Sequence, residues 1–255
     1  MATGLLPLAI GESTKSIKYF ETLEKTYFFT AIWGKETNTL DDEGEIINYS
    51  KVIPNKNDIH KIIKKFIGNI EQKPPNYSAI KINGVRAYNL ARKGVEFEVK
   101  PKNVFIYNIK IINHNSSINQ TSFLMKCSKG CYVRSLVRDI ARELRTFGYC
   151  KEIERRRIGI FSKNVSINLD YCVKMKKKED LKKFLLDIPD VLYHIPQIKL
   201  DDNRLELIKN GMKVSMYEEL GSSNFTEYLI SSSKDIFALG SIKSGYFYPK
   251  RVIKT

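Results

Sequence analysis

The order of strand-like and helix-like segments is the feature that most limits the fold of this chain. Segments rich in aromatic and β-branched residues predict strands at 25–34, 104–112 and 121–128. Apolar residues at helical spacing predict a surface helix within 57–70, and a second helical segment is predicted within 129–161. Because strands and helices interleave irregularly, the order favours an α+β fold, with a mixed sheet and flanking helices, over regular βαβ units.

Two local patterns add detail to this part of the chain. The dipeptide Asn-Asp at 57–58 can cap the first helix, whose apolar positions recur between 59 and 70. Over 95–100, apolar and charged residues alternate in the sequence VEFEVK, which predicts a half-exposed strand.

The composition of the chain changes near Ile195-Pro196, where we place a domain boundary. The following residues hold one short helix, DDNRLELIKNG, with Gly211 as its C-cap. Strand-like segments TEYLISSS, DIFALGSIKSG and YFYPKRVI follow, separated by turn residues. The sequence therefore predicts one large domain at 1–195 and a small β-rich domain at 196–255.

The charge of the chain points to a polyanionic partner. Lysine and arginine total 43 against 28 acidic residues, which gives a net charge of +15. Such a balance is typical of proteins that bind nucleic acid or an anionic membrane surface, although charge alone specifies neither. No apolar run approaches the roughly 18 to 20 residues of a membrane-spanning helix, so we expect a soluble, cytoplasmic protein.

The arginine pattern favours phosphate contacts. Arginines 134, 138, 142 and 145 recur at helical spacing beside an apolar face, and three more follow at 155–157. Any one of them could belong to a solvated face that Asp139 and Glu143 partly balance. The group as a whole is better explained as a basic stripe that contacts phosphates.

Neither the cysteines nor the acidic residues show the pattern of a metal site. Cys127, Cys131, Cys150 and Cys172 contain no CxxC pair, and the three histidines are distant from them in sequence. The acidic segment TNTLDDEGE, 37–45, lacks the carboxylate spacing of a calcium loop. We therefore expect reduced thiols, no metal or redox function, and a solvated acidic loop.

Several ordered stretches together resemble the TruB-type tRNA pseudouridine synthases. The opening ATGLLPLAIGESTK resembles the segment after that family's catalytic loop, and EKTYFFTAIWGKETNTLDDEGE resembles its tyrosine-bearing strand and the loop that follows. The stretches QKPPNYSAIKINGVRAYNLARKG, CSKGCYVRSLVRDIARELR and RRRIGIF are similar to three further family motifs. The resemblance implies a mainly antiparallel sheet, a C-terminal PUA-like domain, and action on uridine 55 in the T arm of tRNA.

The resemblance also implies roles for individual residues. Tyr27 takes the place of the active-site tyrosine that stacks on the flipped base and is proposed to serve in proton removal from C5. Tyr132 would line the uridine pocket, and Arg134 would pair with the catalytic carboxylate. Ile153 takes the place of a pocket-lining leucine, although Glu154 stands where the family usually has arginine. From residue type alone, Tyr27 would be a core residue and Arg134 one member of the basic stripe.

The resemblance further implies contacts to RNA outside the pocket. The signature with Tyr77, Ser78, Gly84 and Tyr88 would support the site, and for Tyr88 we favour packing. The predicted RNA contacts are Lys81, Arg138, Arg142, Arg155, Arg156, Lys250 and Arg251.

The family's aspartate nucleophile would lie two residues before Met1, in the motif GHxGTLDPxATGxLP. The acidic residues at 41, 42 and 139 stand in the wrong motifs to replace it. We therefore expect these 255 residues alone to be inactive. The resemblance implies no metal or organic cofactor, and we expect a monomer. An alternative is a non-catalytic tRNA-binding or RNA-remodelling protein; nonspecific binding to RNA or to an anionic surface fits the ordered motifs less well.

Overall fold

The computed structural model describes residues 2–175, 177–220, 227–231 and 236–254. Two compact units are present, one of Met1–Leu6 and Leu23–Ser166 and the other of Pro7–Thr22 and Ile167–Thr255. Among the described residues, no helix is long and apolar enough to cross a membrane.

The first unit contains most of the regular structure. Its strands are β1 (Ala2–Gly4), β2 (Lys25–Trp33), β3 (Lys35–Thr37), β4 (Ile46–Tyr49), β5 (Gly68–Gln72), β6 (Lys81–Ile82), β7 (Val85–Arg86), β8 (Lys102–Asn115), β9 (Gln120–Cys127), β10 (Gly148–Ile158) and β11 (Phe161–Ser162). The helices within the described residues are α1 (Ile17–Phe20), α2 (Lys56–Ile63), α3 (Ala87–Arg92), α4 (Val133–Glu143), α5 (Leu169–Lys174), α6 (Lys178–Lys182), α7 (Ile188–Val191), α8 (Asp202–Lys209) and α9 (Tyr217–Leu220). Short 3-10 turns lie at Gly11–Ser16, Lys64–Phe66, Ser116–Ile118 and Lys163–Val165.

A seven-stranded sheet forms the frame of the first unit. Its order is β1-β10-β2-β9-β8-β5, with β11 beside β10. Every pair is antiparallel except β1 with β10. The predicted α+β class, with a mainly antiparallel sheet and flanking helices, is therefore confirmed.

The core of this unit lies between the sheet and helices α2 and α4. Phe29 of β2 stands opposite Phe123 of β9, and their rings stack with centroids 5.1 Å apart. Leu136 and Ile140 of α4 and Ile59 of α2 are completely buried in the same cluster. The apolar face of each helix thus packs against the sheet, whose strands direct every second side chain toward the helices.

The predicted strands at 25–34, 104–112 and 121–128 are confirmed as β2, β8 and β9, with β8 longer at both ends. The prediction of a strand over 95–100 is wrong, because this segment joins no sheet. Helix α2 begins at Lys56, and its cap is Asn55, whose side chain accepts the Asp58 amide at 3.0 Å.

The helical prediction for 129–161 is correct only over its first part. Helix α4 ends at Glu143, and Arg145 then adopts a left-handed conformation with φ of 56°. The chain continues as β10, where Gly148 pairs with Trp33. A Cβ at Gly148 would lie 3.0 Å from the Trp33 ring, a tight contact that glycine avoids.

The second unit is built around a five-stranded sheet. Its strands are β12 (Gln197–Lys199), β13 (Val214–Ser215), β14 (Tyr228–Ser231), β15 (Ile236–Lys243) and β16 (Tyr246–Lys254), in the order β12-β14-β15-β16-β13. The predicted short helix is α8, and the three predicted strands are β14, β15 and β16; residues 226 and 232–235 lie outside the described ranges. This unit starts at Ile167 and includes Pro7–Thr22, so it is larger than the predicted 196–255.

Truncation of a core ring should destabilise the first unit strongly. We expect Phe123→Ala to lower the free energy of unfolding by about 3 to 5 kcal/mol, because it leaves a cavity beside Phe29 and Trp33. Phe105→Ala is the control, since this side chain is 42% exposed on β8, and it should cost about 0.5 kcal/mol or less. Urea unfolding followed by fluorescence of the single tryptophan, Trp33, measures both; equal losses would contradict the core assignment.

Candidate functional site

The guanidinium of Arg134 connects three segments at the N-terminal end of α4. Its Nη1 donates to the Thr39 carbonyl at 2.9 Å and to Asp41 Oδ2 at 2.7 Å. Its Nη2 donates to the Tyr77 carbonyl at 2.8 Å. The side chains of the ion pair are 20% exposed at Arg134 and 8% at Asp41. Water therefore screens this pair far less than it screens a surface ion pair.

Asp41 is held in place by its own loop. Its Oδ1 accepts the Thr39 hydroxyl at 2.6 Å and the Glu43 amide at 3.2 Å. Leu40, just before it, takes a left-handed conformation with φ of 63°, and its carbonyl accepts the Cys150 amide at 3.0 Å. The predicted solvated loop is therefore wrong at Asp41, because the loop folds back on β10 and buries this carboxylate against Arg134.

A cavity of about 460 Å³ opens beside Arg134. It is lined by residues from the acidic loop, the 72–94 signature and the start of α4: Thr39, Asp41, Glu43, Tyr77, Ser78, Ala79, Tyr88, Arg92, Tyr132 and Arg134. The Arg92 guanidinium lies over the Tyr88 ring, 5.6 Å from its centroid. Tyr88, for which packing was favoured, thus lines the cavity.

The backbone of Tyr132 is fixed by a buried glutamine. Gln72 accepts the Tyr132 amide at 2.7 Å and donates to the Tyr132 carbonyl at 3.1 Å. The next residue, Lys73, uses its carbonyl to accept bonds from Ser135 at 2.8 Å and Arg138 at 2.9 Å. Hydrogen bonds from residues 72 and 73 therefore fix the position of the start of α4.

Tyr27 and Ile153 lie on neighbouring strands, β2 and β10, and are not among the residues that line the cavity. Both are half-buried and pack against the main core. Burial raises the pKa of the Tyr27 phenol, and the positive charge of Arg155 only partly offsets that rise. At neutral pH Tyr27 therefore carries its proton.

The structure divides the predicted RNA contacts into buried and exposed residues. Arg138 is wrongly predicted as a phosphate contact, because it is buried and bonded to Lys73 and to Asp139 at 2.8 Å. Arg155 is half-buried and donates to the Leu5 carbonyl at 2.8 Å. The exposed members of the set are Lys81, Arg142, Arg156, Lys250 and Arg251.

The exposed basic residues do not form one helical stripe, because Arg155, Arg156 and Arg157 lie on β10. Arg156 pairs with Glu154 at 2.6 Å and lies 4.3 Å from the centroid of Phe28.

Within the described ranges, no three histidine, cysteine or acidic side chains come together as a metal site requires.

Comparisons with known proteins agree on one family. Residues 1–133 match the model of the TruB family pseudouridylate synthase N-terminal domain. The tRNA pseudouridine synthase B of Ehrlichia ruminantium (strain Gardel) is 38% identical over 256 residues, covering 99% of this chain and 86% of the relative. That of Rickettsia bellii (strain OSU 85-389) is 37% identical over 252 residues, covering 98% and 84%.

A solved structure shares the fold at lower identity. A chain in the crystal structure of a Cbf5-Nop10-Gar1 complex matches with a TM-score of 0.70 and 19% identity, covering 98% of this chain and 73% of that chain. The likeness extends over nearly all of this chain, and at this identity it shows the fold alone.

The Arg134–Asp41 pair should show strong energetic coupling. We expect a double-mutant cycle of Arg134→Ala and Asp41→Ala to give a coupling energy of about 1 to 3 kcal/mol, because each single change leaves a largely buried charge without its partner. Arg156 and Glu154 form a matched pair at similar distance but with side chains 48% and 39% exposed, and their cycle should give at most about 1 kcal/mol. Urea unfolding measures both cycles, and equal coupling in the two would refute the role given to burial.

Proposed function

The chain belongs to the TruB family of pseudouridylate synthases, and we propose that it serves the conversion of uridine 55 in the T arm of tRNA to pseudouridine. One observation carries this proposal. Arg134, at the position where the family motif has its carboxylate-binding arginine, lies beside Tyr132 at the wall of a cavity. The hydrogen bonds that fix both residues come from segments that match other family motifs.

The reaction requires access to the sugar and the base together. It breaks the bond between C1′ and N1 and forms a carbon–carbon bond from C1′ to C5, so the uridine must leave the base stack. Unstacking costs a few kcal/mol, and stacking on an aromatic side chain recovers about 1 to 3 kcal/mol. We propose that Tyr27 supplies this stacking and that Ile153 lies at the uridine, although both lie outside the cavity that Tyr132 and Arg134 line.

Arg134 has hydrogen-bonding capacity left for a catalytic carboxylate. Of the five N–H groups of an arginine, three are used in the bonds to Thr39, Asp41 and Tyr77. The remaining donors are on Nε and Nη2, and we propose that they hold the aspartate nucleophile ionised and aimed. Asp41 would then act as a positioning residue that fixes the guanidinium plane.

Tyr27 enters this scheme as a neutral phenol. Because burial raises its pKa, proton removal from C5 by Tyr27 requires that the phenol first lose its own proton. Its ring can act as the stacking platform in either protonation state.

We also propose contacts to tRNA outside the pocket. Lys81, Arg142 and Arg156 of the first unit are exposed and suited to phosphate oxygens. For the β-rich segment 196–255 we propose a PUA-like RNA-binding role. Arg251 in this segment is exposed, and Lys250 Nζ lies 3.5 Å from Glu227 Oε1. We also propose that the protein acts on tRNA in the cytoplasm and as a monomer.

These 255 residues alone should bind tRNA without forming pseudouridine. The family resemblance places the nucleophilic aspartate two residues before Met1, and Asp41 is already bound to Arg134. Incubation with unmodified tRNA, followed by mapping of pseudouridine, should detect no product, whereas a protein extended upstream through the aspartate should modify position 55. Turnover by the 255 residues would show that the nucleophile lies within them.

Removal of the Tyr27 ring from the extended protein should abolish turnover and preserve tRNA binding. Tyr27→Ala takes away the platform for the flipped base, while the phosphate contacts remain. Tyr107→Ala is the control, because Tyr107 is 47% exposed on β8 and has no assigned role. Single-turnover rates and filter binding measure the two properties; a fully active Tyr27→Ala would show that the active site is wrongly placed.

A further inference from the structure

Strand β8 has an open edge beyond the end of β5. On one side β9 pairs with it from Ile106 to Asn115, whereas on the other side β5 pairs with it only from Lys102 to Ile106. No other strand of the described residues joins β8. Residues 107–115 therefore have a neighbouring strand on one side only, and alternate residues of this stretch direct their N–H and C=O groups away from β9.

A groove runs beside the regular part of this edge. Register shifts at 106–108 and 111–113 interrupt the pairing with β9, so 108–111 is the part with regular strand geometry. A cavity of about 480 Å³ lies against it, and this volume is within the range of about 300 to 1,000 Å³ that is typical of ligand sites. The cavity is lined by Lys56, Asn57 and His60 of α2 and by Ile109, Lys110 and Ile111 of β8.

The lining of this groove is basic. Lys56, His60 and Lys110 are exposed, and the lining includes no acidic residue. Within the part of the chain that the structure describes, neither lysine forms an ion pair. Lys126 of the neighbouring strand β9, in contrast, is paired with Glu24 at 2.6 Å. The open edge therefore lies between two positive charges that no described acidic side chain neutralises.

We propose that the 108–111 edge of β8 is a docking site for an extended acidic segment of a partner protein. The segment adds one strand to the sheet, so its backbone bonds to the N–H and C=O groups that point away from β9. Its carboxylates lie beside Lys56 and Lys110, which select an acidic partner over a basic one. Docking at this edge does not depend on the proposed action on tRNA.

An acidic peptide fits this edge better than a second copy of the chain or RNA does. A second copy would bring one Lys110 edge against another, and lysine on an edge strand opposes such pairing. RNA offers phosphates to the two lysines, but it has no peptide backbone with which to complete a strand edge. An acidic peptide satisfies both the lysines and the backbone groups.

Fluorescence anisotropy with a labelled peptide tests the charge requirement. The probe is a peptide of alternating valine and aspartate with blocked ends, and the 255-residue protein should bind it far more tightly than the matching valine–lysine peptide. Lys56→Glu and Lys110→Glu should each weaken binding about tenfold, because each places a like charge beside the aspartates. Raising the salt concentration should also weaken binding, since both lysines are exposed.

Lys102→Glu is the matched control for these charge reversals. Lys102 is an exposed lysine on the same strand, but it lies opposite Gln72 where β5 covers the edge. Its reversal changes the net charge by the same amount and should alter peptide affinity by about twofold or less. An equal loss of affinity in Lys102→Glu and Lys110→Glu would show general attraction to a basic protein and would overturn the docking site.

Methylation of the peptide backbone tests the strand pairing. A strand directs the N–H groups of alternate residues toward the same neighbour. N-methyl groups on the valines alone and on the aspartates alone should therefore have different effects, with binding lost in one peptide and kept in the other. When the unmethylated peptide binds, hydrogen exchange should slow at amides within 107–115.

Three results would overturn the docking site. The first is no binding of the acidic peptide, and the second is equal binding by the parent and both methylated peptides. The third is a loss of tRNA affinity in Lys56→Glu and Lys110→Glu without any slowing of amide exchange by the peptide, which would make the groove a phosphate contact. The proposed action on tRNA is measured separately, by pseudouridine formation in the extended protein, and none of these three results decides it.

Discussion

The ion pair of Arg134 and Asp41 determines how the candidate site is assembled. One guanidinium binds the acidic loop through Thr39 and Asp41 and binds the 72–94 signature through the Tyr77 carbonyl. Because both charges are largely withdrawn from water, removal of either would leave the other buried and uncompensated. Three segments that are remote in sequence thus meet around the cavity through one side chain.

The position of that side chain depends on the sheet. Phe29 and Phe123 stack on adjacent strands and form the surface against which Leu136 and Ile140 of α4 pack. This packing fixes the direction of α4, and the hydrogen bonds from Gln72 and Lys73 fix its start. Arg134 therefore emerges where the cavity lies.

The net charge of +15 says less about the RNA-binding surface than the burial of individual residues does. Arg134 and Arg138 have the helical spacing of a basic stripe, but both are used within the fold. Helix α4 is covered by the sheet on one side and by the 72–73 segment on another, which leaves Arg142 among the exposed members. The exposed residues of the first unit that we predicted as RNA contacts are correspondingly divided between β6, α4 and β10.

The sequence by itself determined the family, the α+β class and the strands β2, β8 and β9, because these follow from ordered motifs and local apolar patterns. It also predicted Tyr132 and Arg134 as site residues, and both line the cavity. Only the tertiary structure decided that Asp41 faces Arg134, that Arg138 is buried and that 148–158 is a strand. Each of these depends on a partner far away in sequence: Asp41 and Arg134 are 93 residues apart, and Gly148 is placed by the ring of Trp33. Local patterns contain no information on such partners, since only the folded chain brings them into contact.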